Sequence, residues 1–162
     1  MKLVEDYIQK ANEYINNYGK KTVLLMQVGT FYEIYALSQN TKENKLYTII
    51  HDISDITGLA VVERSIYVSN KETNWENIPI IAAGFHTNYT DKWLHKIQMG
   101  GYTCVLYSQD NNCKNTTRSL SGIYSPGIYI SDDSSNNNNN MCIWIENINN
   151  KMHIGISNIN II

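Results

Sequence analysis

The sequence is poor in several things, and each shortage excludes something. Cysteine occurs three times in 162 residues, at Cys104, Cys113 and Cys142. Three thiols cannot all pair, and their spacing matches no zinc pattern, so free cysteines in a reducing compartment are expected. Positive charge is also short: 13 Lys and Arg stand against 15 Asp and Glu, for a net charge of −2. A domain that held DNA by phosphate contacts alone would be basic, because each neutralised phosphate needs a cation. The chain therefore either avoids nucleic acid or supplies a few specific contacts while other domains provide the electrostatic grip. Long apolar runs are missing, since no stretch approaches the roughly 18 residues that span a bilayer. Met1 to Tyr7 carries charge where a signal peptide would need an apolar segment. An intracellular protein of unassigned compartment, with no membrane partner, is the expectation.

What is present suits a folded domain. The hydrophobic share of 43% and charged share of 17% allow a core and argue against disorder. The abundance of Asn, Ile, Lys and Tyr records an A/T-rich coding sequence, a feature of genome composition.

Val4, Tyr7, Ile8, Ala11, Ile15 and Tyr18 recur at helical spacing before Gly19. Thr22 to Val28 reads as a buried strand, and Phe31 to Tyr35 begins another directly after Gly29-Thr30, a tight turn or bulge. Tyr47 to Ile56 reads as a second helix closed by Gly58. Leu59–Val62 and Ile66–Val68 read as two short strands, followed by a polar loop from Ser69 to Asn77 and an apolar segment from Ile78 to Gly84. Asn88 to Met99 reads as a third helix with Tyr89, Trp93 and Ile97 on one face. Tyr102–Tyr107 and Ser119–Tyr124 complete the set. The alternation predicts an α/β fold, a mixed β-sheet flanked by about three helices.

Residues 131–141 are Ser-, Asp- and Asn-rich and read as a linker. Beyond it, Cys142–Glu146 and His153–Ser157 flank an Asn-Asn-Lys turn, which predicts a terminal β-hairpin. The expected organisation is a domain over 1–130, the linker, and a hairpin over 142–162 that begins a further domain.

Catalytic patterns are hard to find. Gly19-Lys-Lys-Thr22 lacks the upstream glycine and residue order of a P-loop, and it precedes a strand instead of opening a helix. Asp52 and Asp55 on one helix face are too common a pair to suggest chemistry, and His86 and His95 have no identifiable metal-binding partners. A chain that is not an enzyme, with no metal site or cofactor of its own, is the expectation.

The segment Leu24-Leu-Met-Gln-Val-Gly-Thr-Phe-Tyr-Glu-Ile-Tyr35 resembles the amino-terminal signature of the MutS family of DNA mismatch repair proteins, an apolar strand followed by Gly-Asp-Phe-Tyr-Glu. Ala83-Gly-Phe-His-Thr-Asn-Tyr-Thr-Asp-Lys-Trp-Leu-His-Lys-Ile97 is similar to that family's Ala-Gly turn, helix and Tyr-Leu-x-Lys-Leu run. The following strand ends on Gln109, as the family's does. Ser125-Pro-Gly127 stands where the family has Thr-Pro-Gly-Thr, and Ile143-Trp144 resembles the first strand of its connector domain. The matches keep the family's order across nearly the whole chain. Thr30 replaces the signature Asp, Ile128 the closing Thr, and Gly122 a frequently basic residue, while Arg118 is kept.

The resemblance implies a mismatch-recognition domain followed by the start of a connector domain. It makes Phe31 a wedge that stacks on a poorly paired base from the minor groove, and Glu33 a carboxylate that accepts a hydrogen bond from the displaced base. An aromatic wedge enters at least cost where pairing is already broken, and residues 31 and 33 of a strand share a side. Lys20, Lys21, Arg64, Lys71 and Arg118 are candidate auxiliary DNA contacts. The implied partner is mismatched double-stranded DNA. The resemblance also implies a longer, dimeric ATPase clamp whose ATP and Mg belong to domains outside this chain. Two other classes compete: a small metal-dependent nucleic-acid-processing enzyme, which divalent-metal titration with a cleavage assay would reveal, and a degenerate protein-interaction remnant.

Overall fold

A computed structural model of the chain describes residues 2–42, 44–70, 75–110, 117–126 and 138–161. The chain divides into two compact units, Met1–Pro126 and Gly127–Ile162.

The first unit is a mixed α/β layer. Helix α1 (Lys2–Tyr18) buries Val4, Tyr7, Ile8, Ala11 and Ile15 along one stripe. Tyr18, expected in that stripe, is exposed at the helix end. Strand β1 (Thr22–Val28) follows, with every residue from Thr22 to Met26 buried, so both faces of this strand are covered and its apolar run is continuous. Strand β2 (Phe31–Leu37) returns antiparallel to it. Helix α2 (Lys45–Thr57) opens on Asn44, whose side chain accepts the Tyr47 N–H at 3.3 Å, the usual service of an N-cap to an orphan donor.

Strand β3 (Val62–Asn70) and strand β4 (Trp75–His86) depart from expectation. The two short strands foreseen between Leu59 and Val68 are one strand starting at Val62, and the two ends of the foreseen polar loop, 69–70 and 75–77, lie in strands, with residues 71–74 outside the described set. Pairing with β4 overrides the weak local signal, and register shifts between Arg64 and Tyr67 and between Val68 and Asn70 absorb the irregular pattern.

A 3-10 turn (Thr87–Tyr89) leads into helix α3 (Thr90–Met99), which buries Leu94, Ile97 and Gln98. Of the predicted face, Ile97 is buried and Trp93 half-buried against Phe85, and Tyr89 alone departs from it. Residues four apart drift by about 40° per step on a helix of 3.6 residues per turn, and Tyr89 lies outside the α-helix, exposed. Strands β5 (Thr103–Gln109) and β6 (Arg118–Tyr124) finish the unit.

The six strands lie in the order β3-β4-β2-β1-β5-β6. Among the described residues only β1 and β5 run parallel; the other neighbours in this sheet are antiparallel. Tyr7 of α1 packs edge-on to Tyr35, with ring centroids 5.2 Å apart, and donates its hydroxyl to the Leu24 carbonyl at 2.9 Å. Trp93 of α3 packs on Phe85, whose strand position pairs with Tyr32, so α3 lies on the opposite face from α1. Helix α2 packs beside α3 and against β2. Among the described residues no helix is long and apolar enough to cross a membrane.

The second unit is a hairpin of strand β7 (Asn138–Ile148) and strand β8 (Lys151–Ile161). It is longer than expected and begins inside the Asn tract assigned to a linker. Asn149 and Asn150 form the turn with φ of 51° and 59°, the left-handed pair of a type I′ turn, which Asn tolerates. All its described side chains are exposed.

Candidate functional site

The site is built on the turn between β1 and β2. Two residues, Gly29 and Thr30, close it, with Val28 paired to Phe31. Gly29 adopts φ of 61°, and a positive φ at the first of two loop positions fits the type II′ pattern that favours glycine there. The backbone is fixed from both flanks. On the β5 side, Gln109 Oε1 accepts the Gly29 N–H at 3.1 Å and Gln27 Nε2 donates to the Gly29 carbonyl at 3.0 Å. Gln27 Oε1 accepts the Gln109 N–H at 2.9 Å, and Arg118 Nε donates to the Gln27 carbonyl at 2.6 Å. On the β4 side, the Thr87 N–H donates to the Thr30 carbonyl at 2.9 Å. Residue 30 therefore serves the turn through its backbone, a contact Thr and Asp make equally well.

Phe31 leaves this braced turn 45% exposed, unlike Tyr32, which is buried on the other face. It is not a core aromatic. Its ring meets His86, its cross-strand partner, edge-on at 5.4 Å, and His86 in turn meets Tyr89 at 6.5 Å. The His86 ring is oriented because Nδ1 accepts the Asn88 N–H at 3.2 Å. Phe31 and Tyr89 are thus two exposed aromatic rings either side of a held imidazole.

Glu33 lies two residues on, with its side chain only 17% exposed. One carboxylate oxygen accepts the Tyr35 hydroxyl and the other accepts Arg64 Nη2 at 3.2 Å. Burial, reinforced by the hydrogen bond to Glu33 and its charge, pushes the Tyr35 phenol above its ordinary range, while Arg64 and Arg118 pull the other way. Tyr35 is therefore a neutral donor at neutral pH. A carboxylate holding two donors still has lone pairs for a third. Across the ladder stands Gly84, where a Cβ would meet the Tyr32 carbonyl at 2.6 Å and Glu33 Cγ at 3.1 Å. The Ala83-Gly84 pair, expected at a turn, sits inside β4, and its small residues let the strand pass close to Glu33. Phe31, Glu33, Arg64, Val62 and Ala83 line a shallow hollow of about 220 Å³.

Of the residues singled out from sequence, Phe31, Glu33 and Arg64 come together. Arg118 joins them indirectly, as a brace for the turn. Lys20 and Lys21 do not belong to this group. They precede β1, whose seven residues separate them from Val28 by roughly 20 Å, at the opposite end of the sheet. Lys71 lies outside the described residues. Sequence reasoning missed Tyr35, Gln27 and the role of His86. Tyr35 was within reach, since residues two apart on a strand share a side; His86 depends on a register between distant strands. Among the described residues no group of three or more His, Cys, Asp or Glu comes together as a metal site would need.

No protein-family model matches the chain. Over 128 residues, 78% of its length, it is 27% identical to a protein of Acanthamoeba polyphaga mimivirus that bears the name of a DNA mismatch repair mutS homolog. The chain matches about 10% of that protein's length. The similarity supports a MutS-like relationship.

Proposed function

We propose that the first unit is a DNA-binding module that recognises mismatched or looped-out base pairs, with Phe31 as the stacking wedge and Glu33 as the carboxylate that meets the displaced base. One observation carries the reading. A half-exposed phenylalanine stands on a turn hydrogen-bonded from both flanks, with an oriented carboxylate two residues along on the same side. Such preorganisation matters, because a wedge that must also be ordered on binding loses affinity to that ordering. The similarity to a mutS homolog supports the same reading.

The net charge of −2 fits a module that reads a defect but does not supply the phosphate grip, which falls to other domains of a longer dimeric ATPase clamp. ATP and Mg act in those domains. Arg64 half-neutralises Glu33, so the carboxylate approaches a base edge with less repulsion from nearby phosphates than a bare one would meet.

The test is a competition titration of this chain with mismatched and fully paired duplexes at one salt concentration. The wild-type chain should prefer the mismatch, and Phe31→Ala should abolish that preference while melting at the same temperature. Stacking on an aromatic contributes about 1–3 kcal/mol, so the preference at stake is roughly tenfold. A wild-type chain without preference, or a Phe31→Ala chain that keeps it, overturns the reading.

A further inference from the structure

The end of the sheet remote from Phe31 holds a hollow of about 620 Å³ between the segment before β1, the loop after β2, the first turns of α2, and Tyr102 just before β5. Four lysines line it: Lys20, Lys21, Lys42 and Lys45. The chain has 13 Lys and Arg in all and a net negative charge, so this clustering is a local reversal of the molecule's balance. Among the described residues one carboxylate, Asp52, lines it; its Oδ2 accepts the Tyr102 hydroxyl at 2.6 Å and keeps its charge, so four ammonium groups less one carboxylate leave an excess of three positive charges. Glu43 lies outside the described residues.

The lysines are unevenly satisfied. Lys21 Nζ donates to the Gly100 carbonyl at 3.2 Å and lies 4.9 Å from the centre of the Tyr102 ring. Lys45 makes a long contact of 3.4 Å with Asn16. Lys20 and Lys42 have no partner among the described residues. Four like charges around one hollow repel one another, and one bound monoanion would relieve little of this. An anion with several linked negative groups would relieve most of it. Ammonium groups suit phosphate as compact point charges. The volume lies within the range of small-ligand sites.

We propose that this hollow binds a compact polyphosphate ligand, independently of the DNA edge at Phe31. No P-loop is needed, because ammonium groups, and not a cradle of backbone N–H groups, neutralise the phosphates. Phosphates of a duplex seated at the Phe31 end are not the ligand, since the length of β1 lies between the two sites.

Calorimetric titration of the 162-residue chain with magnesium-free sodium tripolyphosphate at low, fixed ionic strength tests this. Saturable binding is expected, weakened roughly tenfold or more in K20Q/K42Q, because each lost ammonium removes a direct charge–charge attraction to the phosphates. Both lysines are exposed and have no partner among the described residues, so the variant should melt as the wild type does, and Phe31→Ala should bind tripolyphosphate unchanged. A nucleoside triphosphate titrated in parallel separates two sources of the same chemistry: equal affinity assigns recognition to the phosphates alone, and tighter binding adds contacts from the nucleoside. Absence of saturable binding, equal affinity in K20Q/K42Q, or displacement by a fully paired duplex at matched phosphate concentration overturns the proposal. None of these outcomes bears on the mismatch preference, which is read with duplexes and Phe31→Ala.

Discussion

Strand β1 and the β7–β8 hairpin are written in nearly the same alphabet. Leu24-Leu-Met26 and Ile143-Trp-Ile145 are both unbroken apolar runs. In β1 each of those residues is buried, because strands β2 and β5 flank it and helices cover the sheet. In the hairpin each is exposed, and so are Ile154 and Ile156 on the facing strand. An apolar run records only that a segment can be buried; whether it is depends on what the rest of the chain places against it. The two regions also fix their register differently. Burial on both faces penalises any slip of β1, whereas the hairpin relies on the Asn149-Asn150 turn and its ladder. A two-stranded hairpin alone is marginal in water.

The largest expected contrast is chemical. Cys104 is buried near the start of β5, and burial pushes its thiol up to about 12; Cys142 lies exposed on β7. At pH 8 only about one Cys104 thiol in ten thousand would be ionised, and the thiolate is the reactive form. With Cys113 replaced by serine, iodoacetamide should modify Cys142 and spare Cys104 until the protein is unfolded. Modification of Cys104 at a comparable rate in the native chain would show that the first unit opens readily.

Next comes packing. Leu25→Ala empties a fully buried site and should destabilise the first unit by about 2–5 kcal/mol, read as a shift in the urea midpoint. Ile154→Ala, at an exposed position, should move that midpoint by no more than about 0.5 kcal/mol. A large loss from Ile154→Ala would mean that the hairpin's side chains are covered in solution, and the contrast would collapse.

The smallest effect separates the two turns. Gly29→Ala places a Cβ at φ of 61° and should cost about 1–2 kcal/mol, with partial loss of any mismatch preference as Phe31 shifts. Asn150→Gly keeps a residue suited to positive φ and should leave the hairpin's amide protection equal or slightly higher. Equal losses from both variants would show that the turns are held by the same means.

Much of the fold was legible because its signals are local. Helix α1 declares itself by spacing, β1 by an uninterrupted run, and the terminal hairpin by its Asn-Asn turn. The β3–β4 ladder was not legible, because irregular pairs such as Arg64 with Ile80 become regular only when the partner strand is present. At the site, Phe31 and Glu33 stood out by resemblance, and the structure exposes the first and orients the second. The grouping of five basic residues as auxiliary contacts was less secure. Net charge says nothing of position, and strand direction sends Lys20 and Lys21 to one end of the sheet while the Phe31 turn lies at the other. Arg64 reaches Glu33 across the one intervening strand, β4, a pairing invisible until the order β3-β4-β2 is known.

The parallel pairing of β1 with β5 sets a timetable for the molecule's birth. Thr22 must wait for Thr103, and Met26 for Tyr107, so most of the first unit leaves the ribosome before its central strand acquires a second neighbour. Until then β1 is an apolar strand with one open edge, a state prone to pairing with other chains. Contacts between segments so far apart in sequence also slow folding. Nascent chains arrested before Gln109 should therefore be the species that chaperones hold, and chains arrested after Pro126 the first that can close the sheet.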